Sequence, residues 1–274
     1  SVAVATVINV ILDVLFIVHL GWGVKGGAAA TVIAQFVSMV IALVPLFKSK
    51  IFTWDLSYWR LEASLLKQMI NLWLPMFVNS AVITIGGSFV SRNVNAIGPY
   101  FTAGISSGTK IFTMLESLIM AIQTGLSVFI GQNLGAGLKD RVKRGQHQVV
   151  LFGLTLAFVL NILVQSLAPV LVGMFLSPSD PLYAQTLHVA VADVRVITLG
   201  MFIMAPMYLY RIAIQTLGHP KYPMYAGFLQ LLARVFSVSV LPVFIGEYGY
   251  YVATVLAWVI TLPVVMIPYY RYLK

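Results

Sequence analysis

Asn9 and Asp13 stand four residues apart in the run VAVATVINVILDVLF (Val2 to Phe16), where almost every neighbour is apolar. That spacing stacks the two side chains on one face of a helix. An ionised Asp in hydrocarbon costs roughly 2.5–3.5 kcal/mol on insertion scales, and such residues are functional by default. A carboxylate beside an amide oxygen can take up a proton or a hard cation such as Na⁺; the plainer alternative is an Asp held by Asn9 for packing. Thr31 falls at a similar depth, because Asp13 lies eight residues before Gly21 and Thr31 five after Gly26. At about 1.5 Å per residue their depths differ by about one helical turn. Gly26, Gly27 and Ala28–Ala30 would let the two backbones approach closely.

A second set of polar residues lies further along. Lys110 and Glu116 sit six residues apart inside another apolar segment, too far for one helical stripe. They either supply a second functional charge or pair with each other or another helix. Gln123, with Met114, Met120, Met201, Met204 and Met207, would suit an adaptable substrate cavity, since Met repacks around varied shapes; ordinary helix packing is the alternative for each Met. Asp193 and Arg195 are placed near the outer end of their segment. Otherwise few buried basic residues are expected. His19, His147, His188 and His219 are scattered near segment ends and form no metal-ligand cluster. The stretch GQNLGAG (Gly131 to Gly137) lacks the Gly-Lys-Ser/Thr of a phosphate loop and follows no strand, so its glycines read as a helix cap.

These residues need elements that can hold them in an apolar solvent. Of 274 residues, 60% are hydrophobic and 9% charged, and the mean hydropathy is +0.94. A soluble chain carries roughly 25% charge, so lipid is the fitting solvent. The net charge of +9 is confined to short gaps between apolar runs, and nucleic acid is not needed to explain it. With no cysteine, disulfides and thiolate metal sites are excluded. Eight segments have the roughly 20 apolar residues a spanning helix needs: 2–20, 26–47, 65–90, 102–134, 148–175, 186–217, 222–245 and 250–270. The fold class is therefore all-α polytopic membrane protein, with eight transmembrane helices, since bare backbone cannot be left in hydrocarbon. Pro75, Pro169, Pro206, Pro242 and Pro263 fall within these helices.

Basic residues alternate between gaps. Lys48, Lys50, Arg60 and Lys67 flank one gap, Lys139, Arg141, Lys143 and Arg144 fill a loop, Lys221 lies in another, and Arg271 and Lys274 end the chain. Positive residues stay cytoplasmic, so both ends are expected to face the cytoplasm of a multi-pass cell-membrane protein. Residues 48–64, with Trp54 and Trp59, read as an interfacial cytoplasmic linker between a helix pair (1–47) and a six-helix lobe (65–274). A repeat supports this division. Gly23, Gly26, Thr31, Ala34, Pro45 and Lys48 align without gaps over Gly246, Gly249, Thr254, Ala257, Pro268 and Arg271. Asp13 falls over Phe236, so the two copies are not equivalent. If each lobe has six helices, about four are missing before Ser1.

At these motifs the chain resembles the multidrug and toxic compound extrusion (MATE) family. The run FIGQNLGAG (Phe129 to Gly137) followed by Lys139, Arg141 and Val142 is similar to that family's signature after its eighth helix. Leu74-Pro75, QTLGHPKYPM (Gln215 to Met224) and NVILD (Asn9 to Asp13) resemble further family motifs. The resemblance implies helices five to twelve of a two-lobe, twelve-helix transporter that exports amphiphilic, often cationic compounds against inward H⁺ or Na⁺ flow. In one branch the ion site uses an Asp of helix one, an Asn and Asp of helix five and a Thr of helix six. The last three match Asn9, Asp13 and Thr31. Members also commonly carry an acid two residues after the Lys110 position, where this chain has Phe112. A branch with acids in helices seven and ten fits less well, because 65–90 contains none.

The resemblance further implies no cofactor beyond the coupling H⁺ or Na⁺, a small amphiphilic substrate, the lipid bilayer as surroundings, no nucleic-acid partner and a monomer when full length. The rival readings are a lipid-linked saccharide flippase of the same superfamily, which would carry a strongly cationic cavity, and a polytopic membrane enzyme. No clustered catalytic set supports an enzyme. A fragment lacking four helices would be inactive alone.

Overall fold

A computed structural model describes residues 2–48 and 62–273 and divides the chain into two units, Ser1–Leu65 and Leu66–Lys274. Most of the expected interfacial linker, with Trp54 and Trp59, lies outside the described residues.

In the first unit, α1 (Val2–Asp13) continues as a π-helical stretch (Val14–His19), turns through Gly21 and Gly23, and returns as α2 (Gly23–Lys48). The widened turn leaves Leu20 N–H bonded to Leu15 O at 3.0 Å and Trp22 N–H to Phe16 O at 2.9 Å. Both glycines take positive φ, 64° and 54°, which a side chain disfavours. The two helices meet along small residues: Ala5 on α1, and Gly26, Ala30 and Ala34 on α2, are the buried positions. Most other apolar side chains of the pair are exposed, as expected of surfaces that face lipid or a neighbouring helix.

The second unit comprises α3 (Ala63–Asn95, whose first residues precede the division), α4 (Pro99–Gly135), α5 (Lys139–Gly173), α6 (Tyr183–Leu199), α7 (Met201–Thr216), α8 (Lys221–Ile245) and α9 (Tyr248–Tyr272). Among the described residues of the whole chain, seven helices are long and apolar enough to cross a membrane, and the bent α6–α7 pair, taken together as one span, brings the number to eight. The chain is a multi-pass, all-α membrane protein. Small residues again set the close approaches. Gly104 and Gly108, a small-xxx-small pair on α4, let α6 come so near that a methyl on Gly104 would lie 2.6 Å from Val189 Cγ1. The largest core joins α4, α5, α7 and α9 around Trp258, Tyr269, Ile119, Met201, Met204 and Met207.

Two boundaries differ from the sequence expectation. The sixth span is not continuous but bends by 50° at Gly200, between α6 and α7. There a methyl would lie 2.6 Å from Val255 Cγ2 and 2.9 Å from Trp258 Cζ3, so the absent side chain is what lets α9 close onto the bend. Pro206, six residues on, removes a further backbone donor. The basic stretch Lys139–Arg144, expected as a loop, forms the first turns of α5. Only Ala136, Gly137 and Leu138 make the turn: Gly137 takes φ +75°, Leu138 N–H bonds Asn133 O at 2.9 Å, and Gly137 N–H bonds Leu134 O at 3.0 Å. This is a Schellman-type cap, and it absorbs the glycines as the helix-cap reading requires.

Candidate functional site

The first unit brings Asn9, Asp13 and Thr31 onto one seam. Asn9 Nδ2 donates to Thr31 Oγ1 at 3.5 Å, a long contact from α1 to α2. Thr31 Oγ1 in turn donates to Gly27 O at 2.9 Å, one turn earlier on its own helix. Asp13 packs over that same turn, since a methyl on Gly27 would stand 3.7 Å from Asp13 Oδ1. Asn9 and Asp13 are half-buried and Thr31 is exposed. Among the described residues, no lysine, arginine or histidine lies within ion-pair distance of Asp13.

Asp13 also marks the junction where α1 widens into its π-helical stretch. Such stretches interrupt the regular i→i−4 ladder and occur frequently at functional sites. Phe16, just beyond, stacks on Trp22 with ring centroids 4.9 Å apart. A methyl on Gly26 would press within 2.9 Å of Phe16 Cβ. Aromatic packing above and glycine below thus hold the carboxylate's turn against α2. Periodicity gave no sign of the π-helical stretch; VLFIVH (Val14 to His19) reads as ordinary apolar helix.

In the second unit the residues singled out from sequence separate. Lys110 is exposed and places its Nζ 5.5 Å from the centre of the Phe175 ring. Glu116 is half-buried and accepts from Tyr208 Oη of α7 at 2.6 Å. Of the pairings open to Glu116, the one adopted is therefore with another helix and not with Lys110. Gln123 is half-buried on α4. Met204 is fully buried in the largest core, as are Met201 and Met207. Met114 and Met120 are exposed, at 60% and 49%.

A polar cluster forms around Glu116 that sequence reasoning missed. Arg211 Nη2 donates to Gln230 Oε1 at 3.2 Å, and its guanidinium lies 5.7 Å from the Tyr208 ring. Arg234, one turn beyond Gln230 on α8, interacts electrostatically with Glu116 and Arg211. The Nε atoms of Arg211 and Arg234 are shielded from solvent. Both arginines are half-buried and neither was singled out from the sequence. A signal was available: each interrupts an apolar segment, as Asp13 does. Asp193 is buried where α6 meets α4, and a methyl on Gly108 would meet its Oδ2. Arg195 and Gln165 tie α6 to α5 reciprocally: Arg195 Nη2 donates to Gln165 O at 3.1 Å, and Gln165 Nε2 to Arg195 O at 3.0 Å.

The MatE family sequence model matches residues 75–239. The probable multidrug resistance protein YoeA of Bacillus subtilis is 26% identical over 195 residues, covering 67% of this chain and 41% of that protein. Multidrug and toxin extrusion protein 1 of rabbit (Oryctolagus cuniculus) is 25% identical over 182 residues, covering 64% of this chain and 31% of that one. Among solved structures, a MOP superfamily transporter from Pyrococcus furiosus superposes with a TM-score of 0.87 at 16% identity, covering 98% of this chain and 61% of that one. A mutant of the Vibrio cholerae MATE transporter VcmN gives a TM-score of 0.86 at 18% identity, covering 98% and 60%. The chain thus spans less than half the length of these curated relatives and about three fifths of the solved transporters.

Proposed function

The chain belongs to the MatE family, and from that premise we propose that it forms part of a secondary antiporter that exports amphiphilic or cationic compounds in exchange for H⁺ or Na⁺. The observation that carries the coupling role is the Asn9–Thr31 contact across α1 and α2, with Asp13 against the Gly27 turn. Carboxylate, amide, hydroxyl and backbone carbonyl oxygens gathered on one seam are the donor set of a proton or sodium site. A bound proton or sodium ion would compensate the charge that Asp13 brings to this seam.

The mechanism follows from this imbalance. Neutralising Asp13 removes the penalty of a bare carboxylate in an apolar surround. It also changes what Asn9 and Thr31 can bond, so the α1–α2 seam repacks. A ligand shifts a conformational equilibrium by its differential affinity for the two states. An ion that binds the repacked seam more tightly therefore biases the facing of the transporter and drives release of the compound. The alternation of basic residues between gaps supports a cytoplasmic side for both chain ends.

The flippase alternative gains little from the second unit, because Glu116 offsets part of the charge of Arg234. The test is gradient-driven efflux of a lipophilic cationic dye from proteoliposomes containing the full-length protein. Asp13→Asn is expected to abolish efflux under both proton and sodium gradients while the protein remains folded. Efflux at the unsubstituted rate would remove Asp13 from the coupling role.

A further inference from the structure

At the end of the second unit where α5 begins and α9 finishes, a cavity of about 260 Å³ is lined by Lys143, Gln146, His147, Tyr269, Tyr270 and Leu273. Two of its walls are polar groups without partners. Gln146 is 1% exposed, and neither its Nε2 nor its Oε1 has a hydrogen-bond partner among the described residues. Tyr269 is also 1% exposed, with its Oη equally unmatched. Native proteins satisfy nearly all such groups, so three orphaned atoms on two residues that line one cavity point to a ligand toward which these side chains can turn. At about 30 Å³ per water the space exceeds what one or two bridging waters fill.

The chemistry of the lining selects the occupant. Lys143 and His147 stand at i and i+4 on α5 with Gln146 between them, so ammonium, imidazole and amide converge from one helix face. Among the described residues Lys143 pairs with Asp140 at 3.7 Å, on a side chain 84% exposed, and so weak a contact lets it turn inward. Gln146 and Tyr269, both lining residues, carry neutral donors in Nε2 and Oη. A cation and several donors facing one space recognise a phosphate, whose oxygens only accept. Gln146 Oε1 is the one orphaned acceptor, and it calls for a hydroxyl on the same ligand.

Position supplies the source. Tyr270 and Tyr272 of α9, with Tyr222 of α8 and His219 stacked 3.7 Å from Tyr272, make an aromatic belt beside the cavity. Such belts sit at the headgroup level of a bilayer. Basic pockets between helices at that level are where anionic headgroups bind. We propose that the cavity between α5 and α9 binds the phosphate group of a hydroxyl-bearing anionic phospholipid headgroup. Tyr269 and Gln146 form its floor and Lys143 its charged rim. The site is independent of the role assigned to Asn9, Asp13 and Thr31.

The experiment is native mass spectrometry of the full-length protein, titrated with phosphatidylglycerol or phosphatidylcholine, with inorganic phosphate as competitor. Unsubstituted protein is expected to retain phosphatidylglycerol preferentially. Lys143→Gln, Gln146→Leu and Tyr269→Phe should each weaken that retention about tenfold, the loss of one charge-assisted or buried hydrogen bond. Tyr269→Phe removes only a hydroxyl and keeps the test sound if Gln146→Leu impairs folding. Displacement of the lipid by millimolar inorganic phosphate would support the phosphate site itself. Equal retention of both lipids by all four proteins, with higher melting temperatures for Gln146→Leu and Tyr269→Phe, would mark the cavity as a packing defect and overturn the proposal.

Discussion

Gly26 and Gly27 are adjacent, and the structure predicts opposite outcomes for the same substitution at each. Replacing a helix-interior glycine by alanine gains roughly 0.5–1 kcal/mol from reduced backbone freedom in the unfolded chain. At Gly27 the new methyl would lie 3.5 Å from Ile17 Cδ1 and 3.7 Å from Asp13 Oδ1, which is ordinary contact, so the gain survives. At Gly26 it would lie 2.9 Å from Phe16 Cβ, 3.1 Å from Phe16 C and 3.1 Å from Trp22 Cβ. None of these atoms is the flexible tip of a side chain, so the π-helical stretch and the turn after it must move, at the cost of overpacking, about 1–3 kcal/mol. The propensity gain is common to both variants and cancels in their difference. Gly26→Ala should therefore be less stable than Gly27→Ala by about 1–3 kcal/mol. The assay is thermal denaturation of the two full-length variants in the same detergent. Gly27→Ala should also place its methyl against the carboxylate and raise the half-saturating ion concentration for efflux about three- to tenfold, up to about 1.4 kcal/mol. Equal melting temperatures would refute the packing argument. A stabilised Gly27→Ala with unchanged ion dependence would refute the ion site while leaving the packing intact.

Three further outcomes follow from the second unit. Tyr208→Phe removes the donor 2.6 Å from Glu116 Oε1 and should cost about 1.5–3 kcal/mol in denaturation, whereas Lys110→Met, at an exposed position, should change stability by less than about 1 kcal/mol. Gly108→Ala drives a methyl against Asp193 Oδ2 and Ala190 O and should destabilise by about 1–3 kcal/mol; Gly125→Ala, with open space around it, should not. Partial burial, and then the Lys221 charge, lower the pKa of His219 in the turn between α7 and α8 below its ordinary value. Its neutral form is thus favoured on folding, so its contribution is present above about pH 6.5 and is lost as pH falls below that value. His219→Gln should flatten this part of a melting-temperature profile against pH, and an unchanged profile would remove His219 from it.

The helical architecture was legible because lipid imposes it: uninterrupted apolar runs, glycines at turns and prolines within spans need no tertiary information. The Asn9–Thr31 contact was legible for a related reason, since depth along two joined helices can be counted residue by residue. Features set by cross-helix packing were not. The break at Gly200 depends on Val255 and Trp258 of α9, more than fifty residues away. The helical start at Lys139 depends on the cap around Gly137 outweighing a run of like charge. Glu116 could be read as buried, but its partner Tyr208 belongs to another helix, and no local pattern joins them. Arg211 and Arg234 were legible by the rule applied to Asp13, as Lys110 and Arg195 were, yet neither was singled out.

The repeated helix pair bears on whether Asp13 is there for packing. Gly23 and Gly246 share a positive φ, 54° and 60°. Gly26 and Gly249 both face the preceding helix too closely for a methyl. Ala30 and Ala34 are buried, and so are their counterparts Ala253 and Ala257. Helix closure is thus achieved twice by the same small-residue face. Yet the positions matching Asn9 and Asp13 are Leu232 and Phe236, each 64% exposed. Even the departure from regular hydrogen bonding recurs by different means, through a π-helical stretch in α1 and through Pro242 in α8. A hairpin of this design closes without a carboxylate, so packing does not require one at position 13. A polar pair kept in only one copy, at the insertion cost of a charged group, is accounted for by what it binds rather than by what it holds together.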